Sequence, residues 1–209
     1  MGDRREALAL GIGNVLWADE GFGVRAVEAL NEAYAFPAEI ALVDGGTQGL
    51  YLYDLIASAR RVLVFDAIDF SLGPGTLAVF RDRDVPAWGA ARMSPHQTGF
   101  NDVLALAALR GEAPETITLV GVQPQELGDL GGSLTAAVRA RVAEAVEIGA
   151  RELALWGFPG ERRNGGASAA LNAPALALDR YERDRPTAAA ACRIGDPRVL
   201  ARRPPSRSA

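Results

Sequence analysis

Apolar residues in this chain come in short blocks of two kinds, and the two kinds alternate. Ala7 to Ile12 is a short apolar run stopped by Gly13-Asn14, which predicts a buried strand ending in a turn. Val24, Val27 and Leu30, with Ala26 beside them, recur at helical spacing over Gly23 to Tyr34, and Pro37 closes that element. A second strand is expected over Glu39 to Val43, ended by Asp44-Gly45-Gly46-Thr47, and a short second helix over Leu50 to Ala59. Arg61 to Asp66 is a continuous apolar run of the sort that is covered on both faces, and so marks the central strand. After the turn Pro74-Gly75, Thr76 to Phe80 reads as an added strand, Phe100 to Leu109 as a helix and Thr116 to Val120 as a strand. Ser133 can cap a helix from Leu134 to about Ile148, and Glu152 to Trp156 reads as a last strand.

Strands alternating with helices predict a three-layer α/β/α fold around a twisted, mostly parallel sheet of about five strands. The pattern covers residues 1–158 as one α/β domain. Beyond it, residues 159–209 are rich in Arg, Ala and Pro, with Pro174 interrupting the only helical stretch, and are expected to form a mobile tail.

Composition narrows the function. The most apolar stretches run only five to eight residues, too short to cross a membrane, and the N-terminus has no signal-peptide core, so a cytosolic protein is expected. Cys192 is the single cysteine and His96 the single histidine, which excludes an intrachain disulfide, a Cys-Cys zinc site and any multi-histidine site within one chain. Every basic residue is arginine. Residues 158–209 carry 10 Arg against 5 acidic residues, whereas residues 1–157 carry 12 against 21, and an acidic body argues against nucleic-acid binding there.

In an open parallel sheet ligands bind outside the carboxyl ends of the strands, so polar residues just past each strand are the first candidates. Asp19-Glu20 follows the first strand, Asp44 the second, Asp66 and Asp69 the central one, and His96 lies in the loop before the Phe100 helix. Glu20, Asp66 and His96 together supply two carboxylates and an imidazole, a donor set that suits a divalent first-row metal and leaves positions open. Simpler roles compete. Asp19 or Glu20 can cap the first helix, Asp44-Gly45-Gly46 is a turn signal, and a lone loop histidine can be a surface residue. Asp66 is harder to explain away, because a carboxylate directly after four large apolar residues is difficult to solvate unless paired or used. Other chemistries fail on the residues. Gly11-Ile12-Gly13 is followed by Leu16 where a dinucleotide fingerprint needs a third glycine, no serine-hydrolase elbow is present, and Cys192 lies far along the chain from His96.

Six strings occur in one order: Gly11-Ile-Gly-Asn-Val-Leu-Trp-Ala-Asp-Glu-Gly-Phe-Gly-Val24, Asp44-Gly-Gly-Thr-Gln-Gly49, Val64-Phe-Asp-Ala67, Pro74-Gly-Thr76, Met93-Ser-Pro-His-Gln-Thr-Gly-Phe100 and Gly121-Val-Gln-Pro124. Together they resemble the [NiFe] hydrogenase maturation endopeptidases, in the branch serving membrane-bound uptake hydrogenases, over residues 6 to 157. The resemblance implies an enzyme that removes the C-terminal extension of the nickel-loaded large-subunit precursor. It places metal contacts on Glu20, Asp66 and His96 and a further needed carboxylate on Asp44, so that Glu20, Asp66 and Asp44 are the catalytic candidates. It also implies that the nickel belongs to the substrate and that no cofactor is permanently bound. Either the metal polarises the scissile carbonyl, or Glu20 or Asp66 activates a water. Pro95 departs from the family pattern, which has an apolar residue such as Leu before the histidine, and is expected to stiffen that loop. Two other classes remain open at this stage: a chaperone that docks on the precursor without cutting it, and a conventional metallohydrolase with tightly bound metal. A monomer is the default expectation.

Overall fold

The computed structural model describes residues 4–85, 95–165 and 168–185, with Arg83 and residues 95–99 described by backbone alone. Strand β1 (Arg5–Ile12) leads through a single 3-10 turn, Ala18–Gly21, into helix α1 (Phe22–Ala33). The two-residue strand β2 (Tyr34–Ala35) precedes β3 (Ile40–Gly46), a second 3-10 turn (Gly49–Leu52), helix α2 (Tyr53–Ala57) and strand β4 (Ala59–Ala67). Next come β5 (Leu77–Arg81), α3 (Pro95–Leu109), β6 (Thr116–Val122), α4 (Ala136–Arg139) and α5 (Val142–Leu155). The short strand β7 (Glu161–Arg162) and helix α6 (Leu178–Asp184) follow.

Five strands form one sheet in the order β3-β1-β4-β6-β5, with every pair parallel except β5 on β6. The central position of β4 follows from its sequence. Val62, Val64 and Ile68 enter the core on one face, and Leu63, Phe65 and Ala67 enter it on the other. A strand buried on both sides has no polar alternation to show, which is why Arg61 to Asp66 reads as a continuous apolar run. On one face the sheet is covered by α1 and α5, through Phe22, Val27, Leu30, Val146 and Leu153. α2 and α3 cover the other face, through Ile56, Phe100 and Val103. Each such buried side chain contributes about 1.5–3 kcal/mol of transfer free energy.

The structure corrects four local expectations. Glu152 to Trp156 is not a strand but the last turns of α5 and its cap. The alternation of Leu153 and Leu155 imitates a strand, yet Leu153 is fully buried while Leu155 is 77% exposed, and the face that packs is Ala145, Val146, Gly149, Ala150 and Leu153 at helical spacing. The helix expected from Leu134 is two helices, and Thr135, not Ser133, stands at the first N-cap. Ser133 instead donates its hydroxyl to Glu182. Leu50 to Ala59 begins as a 3-10 turn and is α-helical only from Tyr53 to Ala57. Finally, α3 starts at Pro95, five residues earlier than its apolar pattern indicates, so His96 belongs to the first turn of a helix and not to a preceding loop. Proline suits that first position because its missing N–H has no partner there in any case.

The segment set apart as a tail begins by lying against the body. β7 pairs with β2, and Arg163 Nε donates to the carbonyl oxygens of Asn31 and Tyr34, each at 3.0 Å. Further on, Asn31 donates to the Ala169 carbonyl at 2.8 Å, Arg25 to that of Leu176 at 2.6 Å, and Tyr181 to that of Gly132 at 3.0 Å. These are single polar contacts rather than an amphipathic face, so they leave no periodicity to read. Residues 186–209, including Cys192, lie outside the described residues. Among the described residues no helix is long and apolar enough to cross a membrane.

Candidate functional site

Chain connectivity decides where the sheet opens. From β1 the chain leaves by α1 on one face and returns at β3, whereas from β4 it goes on to β5 and then by α3 on the opposite face to β6. The carboxyl ends of β1 and β4 are therefore the switch point of the sheet, the place where such folds bind ligands. Glu20 follows β1 and Asp66 lies near the end of β4, so the two carboxylates flank it.

Glycine makes this corner tight. A Cβ at Gly23, in the first turn of α1, would stand 2.1 Å from the Phe65 carbonyl oxygen and 2.2 Å from that of Ile12. At Gly13, with φ +134°, a Cβ would stand 1.8 Å from the Glu20 carbonyl oxygen. A Cβ at Gly11 would likewise stand 2.3 Å from the Gly23 carbonyl oxygen, so Gly11 and Gly13, which begin the incomplete dinucleotide fingerprint, together with Gly23 let the start of α1 press onto β1 and β4. The turn carrying Glu20 packs against β4 as a result. Asp66 is 3% exposed, and its Oδ1 accepts the Ala67 N–H at 2.8 Å.

Asp19 has a different task from its neighbour. It is fully buried, and its carboxylate accepts the N–H groups of Gln125 (2.8 Å), Glu126 (2.9 Å) and Thr135 (2.7 Å) and the Thr135 hydroxyl (3.0 Å). Its own N–H donates to the Glu126 carbonyl at 3.1 Å. Asp19 therefore ties the turn after β1 to the loop after β6. Ala18 before it takes φ +44°, a left-handed conformation that costs an L-residue about 1–2 kcal/mol and that this network sustains. Neither acidic residue caps α1, whose N-cap position is Gly21 with no side-chain bond.

Asp44 lies in β3, one strand out from the switch point, opposite Gly11 of β1. Its Oδ1 accepts the Gly46 N–H at 2.9 Å, a local turn bond, and its Oδ2 accepts from Asn172 at 3.3 Å. Asn172 also donates to Glu28, which is paired with the buried Arg25 at 2.8 Å. Burial holds the Glu28 carboxyl above its ordinary value, against the pull of Arg25 and Asn172, and nearby Asp44 adds to the rise. A cleft of about 200 Å³ lies beside Asp44, lined by Gly13, Asn14, Thr47 and Leu176 among others.

The loop after β4 is shaped from the end of its neighbouring strand β6. Buried Gln123 accepts the N–H groups of Phe70 (2.7 Å) and Leu72 (3.2 Å) through Oε1 and donates to Asp69 at 3.1 Å. For His96 the backbone alone is described. The α3 helix ends beside the amino edge of the sheet, where Arg4 donates to the carbonyls of both Ala59 and Glu112. Fifteen residues of helix span about 22 Å, so the first turn with His96 stands toward the carboxyl edge. Its side chain lies outside the described residues, and among those described no three acidic, histidine or cysteine groups converge on one point. The structure thus brings the positions of Glu20 and Asp66 to one corner, sets Asp44 one strand away, turns Asp19 from a candidate site or cap residue into a support, and adds Gln123 and Asn172 as supports that sequence reading misses.

Fold and corner define a doubly wound α/β protein with acidic groups at its switch point. A protein-family model described as HycI, hydrogenase maturation protease, matches residues 24–152. The hydrogenase expression/formation protein HoxM of Cupriavidus necator is 55% identical over 196 residues, which make up 92% of this chain and 97% of that protein. The hydrogenase 2 maturation protease of Escherichia coli is 43% identical over 141 residues, 67% of this chain and 85% of that one. In three dimensions, the E. coli hydrogenase maturating endopeptidase HybD matches with a TM-score of 0.73 at 38% identity, covering 77% of this chain and 99% of that one. The chain belongs to the hydrogenase maturation protease family, and its chemistry is peptide hydrolysis.

Proposed function

We propose that this endopeptidase removes the C-terminal extension from the nickel-loaded large-subunit precursor of an uptake [NiFe] hydrogenase, and that it reads the substrate's own nickel before cutting. The observation that carries this is the flanking of the switch point by Glu20 and Asp66 in a chain of this protease family. Two carboxylates and the His96 imidazole form an incomplete shell of hard and borderline donors. Such a shell suits a divalent first-row ion with open positions and competes poorly with thiolates for it. Contact with the metal then serves as a checkpoint, because a precursor without nickel lacks the contact. Glu20, Asp66 and Asp44 are the carboxylates that can hold or activate the attacking water. The protein works as a cytosolic monomer without a resident cofactor, since the metal arrives with the substrate.

Glu20→Gln, Asp66→Asn and His96→Ala each keep the shape of the side chain or shorten it, while removing a metal contact. Each is expected to lower cleavage by about 10²–10³-fold, with precursor accumulating and the circular dichroism spectrum unchanged. Processing at the normal rate by all three variants would remove the site from these residues.

A further inference from the structure

Asn172 stands where two carboxylates meet. Its side-chain amide donates both to Glu28 and, at 3.3 Å, to Asp44 Oδ2, while Asp44 Oδ1 takes the Gly46 N–H at 2.9 Å. Both oxygens of Asp44 are thereby engaged, one by its own turn and one by a residue 128 positions further along the chain.

The strap that carries Asn172 is fastened on either side of it. Asn31 holds the Ala169 carbonyl at 2.8 Å before Asn172, and Arg25 holds the Leu176 carbonyl at 2.6 Å after it. Arg25 is 4% exposed and lies 5.8 Å from the centre of the Tyr181 ring, so one buried guanidinium grips Glu28 and two points of the strap. Leu176 of the same strap walls the cleft beside Asp44. An amide placed between two carboxylates supplies each with a donor and keeps like charges from facing each other directly.

We propose that residues 168–185 are a working part of the site, with Asn172 the positioning residue that fixes the carboxylate of Asp44. This rests on reading Asp44 as one of the carboxylates that serve peptide cleavage. Without Asn172, Oδ2 loses its donor and faces Glu28, and the carboxylate turns off the Gly46 N–H.

The test uses the full-length protein and two readouts: kcat and KM on nickel-loaded precursor, and the amide resonance of Gly46. Asn172→Ala is expected to lower kcat about tenfold with KM within about threefold, and to move the Gly46 resonance as its bond to the carboxylate is lost. Adding Glu28→Gln removes the opposing charge and restores an amide beside Asp44. The double variant should return the Gly46 resonance toward its original position and recover at least about threefold in kcat. A residue that merely held the strap down would show no such rescue. An unmoved Gly46 resonance, an unchanged kcat in Asn172→Ala, or a double variant no better than the single one would overturn the proposal. If the wild-type protein fails to cut the precursor, the proteolytic reading alone falls, and the Gly46 resonance still decides whether Asn172 fixes Asp44.

Discussion

The loop clamped by Asp19 and the strand-end edge beside it are both organised around carboxylates, and they use them in opposite ways. Asp19 is fully buried and gathers three backbone N–H groups and a hydroxyl from residues 125–135 into one knot. One residue later Glu20, in the same turn that packs against β4, is only partly buried. Asp44 is likewise partly open and shares its second oxygen with a distant strap. Between Asp19 and its partly open counterparts Glu20 and Asp44 the difference is therefore the exposure left over, whereas Asp66, at 3% exposed, is as buried as Asp19 and is marked instead by its place near the end of β4 at the switch point.

The contrast can be tested in order of expected effect. Asp19→Ala strands several buried donors at once and should cost about 3–5 kcal/mol, read as a fall in the urea midpoint, with activity lost only as the fold is lost. Glu20→Gln should do the reverse, keeping the unfolding free energy within about 0.5–1 kcal/mol of wild type while cleavage falls by about 10²–10³-fold. A protein with Glu20→Gln that unfolds as readily as one with Asp19→Ala would erase the distinction. Glu152 is a second buried carboxylate of the structural kind, 5% exposed and held by Arg81 and Thr118. Glu152→Ala removes the acceptor and leaves Arg81 half in solvent, so a milder loss of about 2 kcal/mol is expected in the same assay.

The smallest effect concerns Glu28. Burial holds its proton more tightly in the folded protein than the ordinary value of 4.5. The group therefore favours folding below that value, and the contribution is lost as pH rises through the higher folded value. Glu28→Gln should accordingly be more stable than wild type near neutral pH, with the advantage shrinking as pH falls toward and below 4.5. Equal unfolding midpoints at both ends of that range would show that Arg25 and Asn172 already balance the burial of Glu28.

The sheet was legible because its strands are marked by apolar runs with Gly, Pro or Asp at their ends, and β4 by its freedom from alternation. The strand-end carboxylates Glu20, Asp44 and Asp66 could be found by the same logic, since topology puts such residues on one edge whatever their neighbours. Other features were not legible for identifiable reasons. The end of α5 imitates a strand because Leu153 and Leu155 alternate by accident, and only the buried glycine-alanine face shows the helical period. The start of α3 is hidden because Pro95 reads as a breaker unless the first helical position is recognised. Asp19 could not be told from Glu20, because its donors are backbone groups more than a hundred residues away. Asn172 lay in a segment whose composition suggested no packing at all, and its two carboxylate partners come from β3 and α1.

The most direct test is to incubate the purified protein with nickel-loaded and nickel-free large-subunit precursor and follow the mass of the product. Loss of the C-terminal peptide from the loaded precursor alone is the expected result. Equal cleavage of both forms would contradict recognition of the substrate's nickel, and cleavage of neither, with a matched hydrogenase supplied, would contradict the proteolytic assignment of this precursor.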